Sequence, residues 1–220
     1  MPVDTTPAQR PEPVTLEGCF GRVEKLLAEH SAFLWDAVRG HDGLWTYMPG
    51  GPFDDDRSFA AWVAERTALD DPYFYAVVNA AGNAVGIFAL MEIRENSRVI
   101  EVGNVLYSPA LQRTALATEA QYLLARYVFE TLGYRRYEWK CDALNAASQR
   151  AARRYGFMFE GIFRQHRIVK GRNRDTAWFS ILDTEWPARK AAFERWLAPD
   201  NFSADGGQIE SLSGMNGSRE

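Results

Sequence analysis

The sequence predicts a mixed α/β fold, in which a central and mostly antiparallel sheet carries helices on both faces. Three β-rich runs, Tyr73 to Asn79, Ala84 to Ile93 and Val99 to Tyr107, follow one another with only short turn-forming sequences between them. That arrangement is typical of an antiparallel meander. Helical periodicity dominates both before and after it, and the fourth and fifth strands along the chain are expected to be parallel.

The remaining elements follow from periodicity and from the residues that begin and end helices. Acidic residues at 54–56 suit the start of a helix that closes before Pro72, and Gly133 suits the end of a long one. A strand, a helix and a strand between residues 134 and 157 have the pattern of a parallel crossover. The expected strands are 20–26, 134–141, one from 157 and 177–184, and the expected helices are 31–38, 56–71, 117–132, 146–155 and 187–197.

Composition and charge exclude several classes of protein. The formal net charge is −4, with Lys and Arg scattered among Asp and Glu, which argues against a nucleic-acid-binding protein. No apolar run approaches the ~20 residues of a membrane helix, and we expect a cytoplasmic protein. Cys19 and Cys141 do not suggest a disulfide framework, and no Cys or His spacing suggests a metal. One domain is expected over residues 14–200, with 1–13 a flexible arm and 201–220 a flexible tail.

A candidate phosphate site lies between Val102 and Ala120. This stretch reads as a strand, a tight turn and a helix start, where unpaired N–H groups and the helix dipole favour an anion. Its segment Gln112 to Ala117 resembles the pyrophosphate loop of the GCN5-related N-acetyltransferase (GNAT) superfamily. Ala115 stands where that family usually has Gly. If the position needs a positive φ, Ala costs roughly 1 kcal/mol there.

A second block, Asn145 to Gly161, is similar to the family's Asn-x-x-Ser and Gly-Phe-x-x-Glu-Gly pattern. The resemblance is closest to the Rim-type enzymes that acetylate ribosomal-protein N-termini. It implies the GNAT fold, with a parallel strand pair splayed around acetyl-CoA. Asn145 would hold the pantetheine arm and Ser148 would protonate the departing thiolate, although both also suit a helix start. The implied cofactor-binding residues are Leu106, Tyr107, Gln112, Arg113, Thr114, Ala115, Leu116, Ala117, Thr118, Asn145 and Ser148.

The general base is the least defined part of the expected site. Where some Rim-type enzymes have a proposed catalytic Glu, this chain has Arg167. Glu101 is either a base acting through water or a carboxylate paired with a neighbouring Arg, and Asn104 could polarise the thioester. Their opposite parity on one strand predicts that only one of them faces the acetyl group. The candidate catalytic residues are Ser148, Asn104 and Glu101.

The resemblance implies an enzyme that passes an acetyl group from acetyl-CoA to a primary amine, either a protein N-terminus or a small molecule. A non-catalytic acyl-CoA-binding or regulatory module is the alternative. A second copy of the chain is a candidate partner, and no membrane or nucleic-acid partner is expected. Trp35, Trp45 and Tyr47 belong either to the acceptor side or to the core. A basic cluster is either a solvated face or an anion site; it consists of Arg164, Arg167, Lys170, Arg172 and Arg174.

Overall fold

The computed structural model describes residues 4–217, which form one eight-stranded sheet with helices on both faces. The strand order is β1-β2-β3-β4-β5-β6-β8-β7, and every neighbouring pair is antiparallel except β5 with β6. The predicted mixed fold is therefore confirmed. The strands are β1 Thr15–Glu17, β2 Gly21–Lys25, β3 Tyr73–Asn79, β4 Ala84–Arg94, β5 Val99–Tyr107, β6 Arg136–Asp142, β7 Met158–Val169 and β8 Arg172–Leu182. The α-helices are α1 Ser31–Val38, α2 Asp56–Thr67, α3 Ala115–Arg126, α4 Ala146–Arg154, α5 Trp186–Leu197 and α6 Leu212–Met215.

The sheet separates two apolar layers, and β3 shows how its residues divide between them. Tyr75 and Val77 pack into the layer that holds α3 and α5, whereas Phe74 and Ala76 pack into the layer of α1 and α2. Both sets are fully or almost fully buried. Because successive side chains of a strand point to opposite faces, a buried run without polar alternation is what a two-sided sheet requires. Within residues 4–217, no helix is both long and apolar enough to cross a membrane.

The strand order differs from the sequence prediction at one edge. The parallel pair at the fourth and fifth predicted strands is confirmed, since β5 pairs in parallel with β6 from Val99↔Arg136 to Val102↔Trp139. The crossover from β6 through α4 does not produce a second parallel pair. β8 lies between β6 and β7 and is antiparallel to both. The hairpin after β7 reverses the chain, and β8 occupies the position between β6 and β7.

The two ends of the described chain make more contacts than the sequence predicts. Ala8 is buried, and its amide donates to the carbonyl oxygen of Glu95 at 3.1 Å. Leu212 in α6 is fully buried in the same apolar layer as α5. These contacts argue against a loose arm and tail. The single domain over 14–200 stays a prediction, and residues 1–3 and 218–220 of the predicted arm and tail lie outside the described residues.

Candidate active site

A cavity opens where the two parallel strands separate. Ladder pairing between β5 and β6 ends at Val102 and Trp139, yet β5 continues to Tyr107 and β6 to Asp142. The strands splay beyond that point, and a cavity of about 830 Å³ lies in and in front of the gap. This volume is in the range of pockets that bind small molecules and cofactors. Seven of the residues predicted from the sequence line it: Glu101, Asn104, Leu106, Tyr107, Gln112, Asn145 and Ser148.

A β-bulge in β5 brings Glu101 and Asn104 to the same cavity. Asn104 has a left-handed backbone with φ 51°, and Asn104 and Val105 together stand opposite Phe88 of β4. The extra residue interrupts the alternation of side chains along the strand and leaves one residue without a ladder partner. The expectation that only one of Glu101 and Asn104 could face the site is therefore wrong, because it assumed an unbroken strand.

Glu101 is a buried carboxylate held by a lysine of the neighbouring strand. Lys140 Nζ lies 2.8 Å from Glu101 Oε2 and 3.0 Å from Glu138 Oε2, and it also lies over the ring of Trp178. Burial raises the pKa of Glu101, and the charge of Lys140 works against this shift. The carboxylate is thus both ion-paired and part of the cavity wall, and its partner is a lysine rather than an arginine.

The turn before α3 has the geometry of an anion site without strain at Ala115. Thr114 is the N-cap of the helix, and its hydroxyl accepts from the Ala117 amide at 3.1 Å. Ala115 is the first helical residue, and the left-handed backbone falls on Arg113, with φ 63°. Ala115 therefore does not carry the strain energy that a positive φ would cause. No hydrogen bond between described residues uses the amides of Ala115 and Leu116, which first-turn geometry leaves free.

Other residues of the predicted cofactor loop make hydrogen bonds that hold this turn and the helix after it in place. Gln112 Nε2 donates to the carbonyl oxygen of Tyr107 at 2.9 Å, which closes the loop between β5 and α3. The Thr118 hydroxyl accepts from Arg154 at 2.9 Å. Burial raises the pKa of Tyr107 well above its ordinary value, and its hydroxyl accepts from Gln121. Beside the cavity rather than in its wall lie Arg113, Thr114, Ala115, Leu116, Ala117 and Thr118.

Asn145 and Ser148 meet at the start of α4, on the other side of the gap. Asn145 Oδ1 accepts from the Ser148 amide at 3.0 Å, so Asn145 is the helix N-cap. Ser148 Oγ accepts from Trp139 Nε1 at 2.9 Å, and this leaves the hydroxyl hydrogen available to a further acceptor. Burial raises the pKa of the Cys141 thiol, and the Ser148 hydroxyl works against that shift. A structural role for both residues is thus evident, and it leaves each facing the cavity.

Sequence reasoning missed several polar residues of the cavity, among them Lys140 and His166. His166 Nδ1 lies 3.0 Å from the Thr176 hydroxyl, and burial, then the charge of Arg167, lowers the pKa of the imidazole. Lys140 could have been found from the charged residues at every second position of β6, from Arg136 onward, because regular charge in a central strand predicts an ion network. His166 lies at a register shift of β7 that no sequence pattern indicates.

The early aromatic residues and the basic cluster each divide between two roles. Tyr47 lines the cavity, whereas Trp45 packs in a cluster of aromatic rings with Phe53, Phe59 and Trp62. Lys170 Nζ donates to the carbonyl oxygens of Trp45, Gly50 and Gly51 at 2.9, 3.2 and 2.9 Å, so it fastens the β7–β8 hairpin to the loop before α2.

Among residues 4–217 there is no group of three or more His, Cys, Asp or Glu side chains that could hold a metal.

Comparison with known proteins gives a consistent result. Residues 24–158 match the family model of the acetyltransferase (GNAT) domain. The crystal structure of a GCN5-related N-acetyltransferase from Brucella melitensis is 46% identical, with a TM-score of 0.94 over 96% of this chain and 98% of that one. A probable GNAT-family acetyltransferase from Chromobacterium violaceum ATCC 12472 is 43% identical, with a TM-score of 0.80 over 86% of this chain and 96% of that one.

Similarity to Rim-type enzymes is also present. A Bacillus subtilis (strain 168) protein named "Putative ribosomal N-acetyltransferase YdaF" is 28% identical over 109 residues, which are 50% of this chain. The chain spans 59% of the length of that curated relative. The ribosomal L7/L12 α-N-protein acetyltransferase RimL is 16% identical, with a TM-score of 0.68 over 77% of this chain and 94% of that one, a likeness of fold. With a family model that covers most of its length and a cavity at the splayed strand pair, this chain belongs to the GNAT acetyltransferase family.

Proposed function

We propose that this protein transfers the acetyl group of acetyl-CoA directly to a primary amine. The observation that carries the proposal is the cavity between β5 and β6, which is lined by the bulge residue Asn104 and by Gln112, a residue of the turn that leads into α3. A thioester placed in the gap would have donors on one side and an open approach for an amine on the other. Holding two reactants together in such a geometry is itself a large part of the catalysis that an acyl transfer needs.

The residues present fit acetyl-CoA as substrate. The free amides of Ala115 and Leu116 and the positive end of α3 suit a pyrophosphate. Asn145 and Ser148 line the opposite wall, where an extended pantetheine arm would pass between the separated strands. Bound there, acetyl-CoA supplies an activated acyl group, so no covalent intermediate with the protein is required.

Three cavity residues supply the remaining chemistry in this proposal. The unpaired backbone of the Asn104 bulge stabilises the negative charge that develops on the thioester oxygen. Glu101 accepts a proton from the amine through a water molecule. The Ser148 hydroxyl, whose oxygen accepts a hydrogen bond from Trp139, donates its hydrogen to the departing sulfur and regains a proton from solvent, so CoA leaves as a neutral thiol.

The acceptor we favour is an α-amine or another amine of low pKa. The pKa of an α-amino group is near ~7.7 to 8.0 and that of lysine near ~10.4, so at neutral pH the neutral α-amine is more than a hundred times better populated. Glu101 is tied to Lys140 at 2.8 Å, which makes it a weak base toward a protonated lysine. The 28% identity to the ribosomal N-acetyltransferase relative supports the same choice.

The test measures acetyl-CoA consumption with two matched peptides between pH 6 and 9. One peptide has a free α-amine and no lysine, and the other has a blocked N-terminus and one lysine. We expect faster turnover of the first at neutral pH. Faster acetylation of the lysine peptide would contradict the α-amine preference, and no turnover with any peptide, small amine or aminoglycoside would favour the non-catalytic acyl-CoA-binding module instead.

A further inference from the structure

Two arginines of the β7–β8 hairpin stand directly opposite each other in the cavity wall. Arg167 and Arg174 are cross-strand partners in the ladder, and both line the cavity. Like charges placed directly opposite on neighbouring strands destabilise a sheet. Arg167 is exposed and Arg174 is half-buried, so solvent screens part of this repulsion, and a bound anion would offset the rest.

No carboxylate of the described chain offsets it. Among residues 4–217, neither Arg167 nor Arg174 forms a salt bridge, although cations elsewhere in this sheet do, such as Lys140 with Glu101. The Nε atom of Arg174 is buried and has no hydrogen-bond acceptor, and the same holds for Nε1 of the cavity residue Trp178. Buried donors without partners are expensive, and because both of these side chains line the cavity, a ligand bound there would satisfy them.

The surroundings of this pair are positive as well. His166 lies beside it, and the charges of Arg167, Arg174 and Lys140 all act against protonation of the imidazole. Three acidic residues line the cavity. Lys140 neutralises Glu101, the Asp142 carboxylate accepts from the Leu144 amide, and Glu92 forms no salt bridge with a described residue and favours the charged imidazole of His166. The wall formed by the hairpin therefore offers donors and positive charge, and a carboxylate or phosphate is the chemistry that satisfies both.

We propose that Arg167 and Arg174 bind an anionic group of the acceptor while its amine reaches Glu101 and Asn104. This inference rests on the proposed acetyl transfer and names the substrate class for it. Along β8, Arg174 lies four residues from Trp178, which pairs with Lys140 beside Glu101. At ~3.3 Å per residue this is about 13 Å of strand, and an arginine side chain reaches part of the way back. The span suits an extended peptide with acidic side chains two to four residues after its free amine.

The test begins with binding, which does not depend on turnover. Two peptides with a free α-amine are titrated calorimetrically into the protein saturated with CoA: one has glutamate at its second to fourth positions, the other glutamine there. We expect the acidic peptide to bind about tenfold more tightly or better, since each bidentate arginine contact adds a charge-assisted bond. Arg167→Gln and Arg174→Gln should each bring the ratio near one.

Two further variants serve as controls. Arg172→Gln removes an exposed charge of the same hairpin that lies outside the cavity wall, and it should keep the preference. Arg174→Lys keeps the positive charge and should retain part of the preference for the acidic peptide. This variant therefore separates loss of charge from loss of folding. Equal affinity of the wild-type protein for both peptides, or binding of neither, would overturn the proposal. So would variants that weaken CoA binding and leave the peptide ratio intact, because the arginines would then belong to the CoA phosphates.

Acetyl transfer to the same two peptides then separates this inference from the proposed function. A protein that binds the acidic peptide more tightly but acetylates neither peptide retains the anion site and refutes the transferase. A protein that acetylates both peptides with equal kcat/KM and equal affinity retains the transferase and refutes the anion site.

Discussion

Replacing Glu101 by Gln separates the two roles that its position allows. The substitution keeps the shape of the side chain and removes both the proton acceptor and the partner of Lys140. Lys140 retains Glu138 at 3.0 Å, and burial already raises the pKa of Glu101, so the charged form of Glu101 is held at some cost. We therefore expect the free energy of unfolding to change by about 1 kcal/mol or less. A general base acting through water contributes ~10² to 10⁴, and we expect kcat/KM to fall by about a hundredfold.

Glu138→Gln is the matched control, because Glu138 belongs to the same ion network without lining the cavity. It is buried and contacts Lys140, Arg94 and Arg136. Its loss leaves several cations with fewer partners, and since Arg94 is half exposed, we expect a cost of about 1 to 3 kcal/mol rather than more. Activity per folded molecule should change only a few-fold. The paired assay is chemical denaturation together with kcat/KM for a free α-amine peptide.

The pH dependence of the two variants has opposite signs. Burial raises the pKa of Glu101 above its ordinary value of 4.5, so its contribution to stability is present below 4.5 and is lost as pH rises through the folded pKa. Burial also disfavours charge on Glu138, but hydrogen bonds from Arg136 and Lys140 outweigh it and lower the pKa, so its contribution is present above 4.5 and is lost as pH falls. As pH rises, the free energy of unfolding of Glu101→Gln should therefore increase relative to that of the wild type, and that of Glu138→Gln should decrease relative to it. Equal loss of kcat/KM in both variants would refute a chemical role for Glu101.

Three further substitutions test the loop, the hairpin and the tail. Ala115→Asp should stay folded, because an acidic residue suits the first turn of a helix. It should abolish the rise in melting temperature that CoA produces. Ala117 is less suitable for this substitution because it is buried. Lys170→Met should lower the melting temperature by about 2 to 4 °C and raise the acceptor KM more than it lowers kcat, since three carbonyl oxygens lose their donor. Leu212→Ala should cost about 2 to 5 kcal/mol in denaturation, against less than about 0.5 kcal/mol for the exposed Ile209→Ala, and equal values would mean that the tail is dispensable.

Sequence patterns predicted most of the sheet because its strands are bounded by strong local signals. β3 matches the prediction at both ends, since Pro72 precedes it and a turn-forming sequence follows Asn79. β1 has three residues, too few for a periodicity to be seen. β8 begins at Arg172, earlier than predicted, because its first residues are charged and only the pairing with β7 makes them a strand. Propensity describes residues one at a time, whereas pairing depends on the partner strand.

The same distinction explains the part of the site that could not be predicted. Asn145 and Ser148 were predicted because they stand in a block that resembles the family's Asn-x-x-Ser pattern, a local sequence feature, and the same residues also suit the helix start that they form. The position of Asn104 relative to Glu101 depends on Phe88 of the neighbouring strand, against which the bulge forms. A left-handed residue in mid-strand, with φ 51°, is tolerated by Asn better than by most residues, but the residue type alone does not locate a bulge. Because the bulge turns two side chains of opposite parity toward one cavity, the roles proposed for Glu101 as proton acceptor and for Asn104 as polarising group can be played on one substrate, and an unbroken strand would have separated the two side chains.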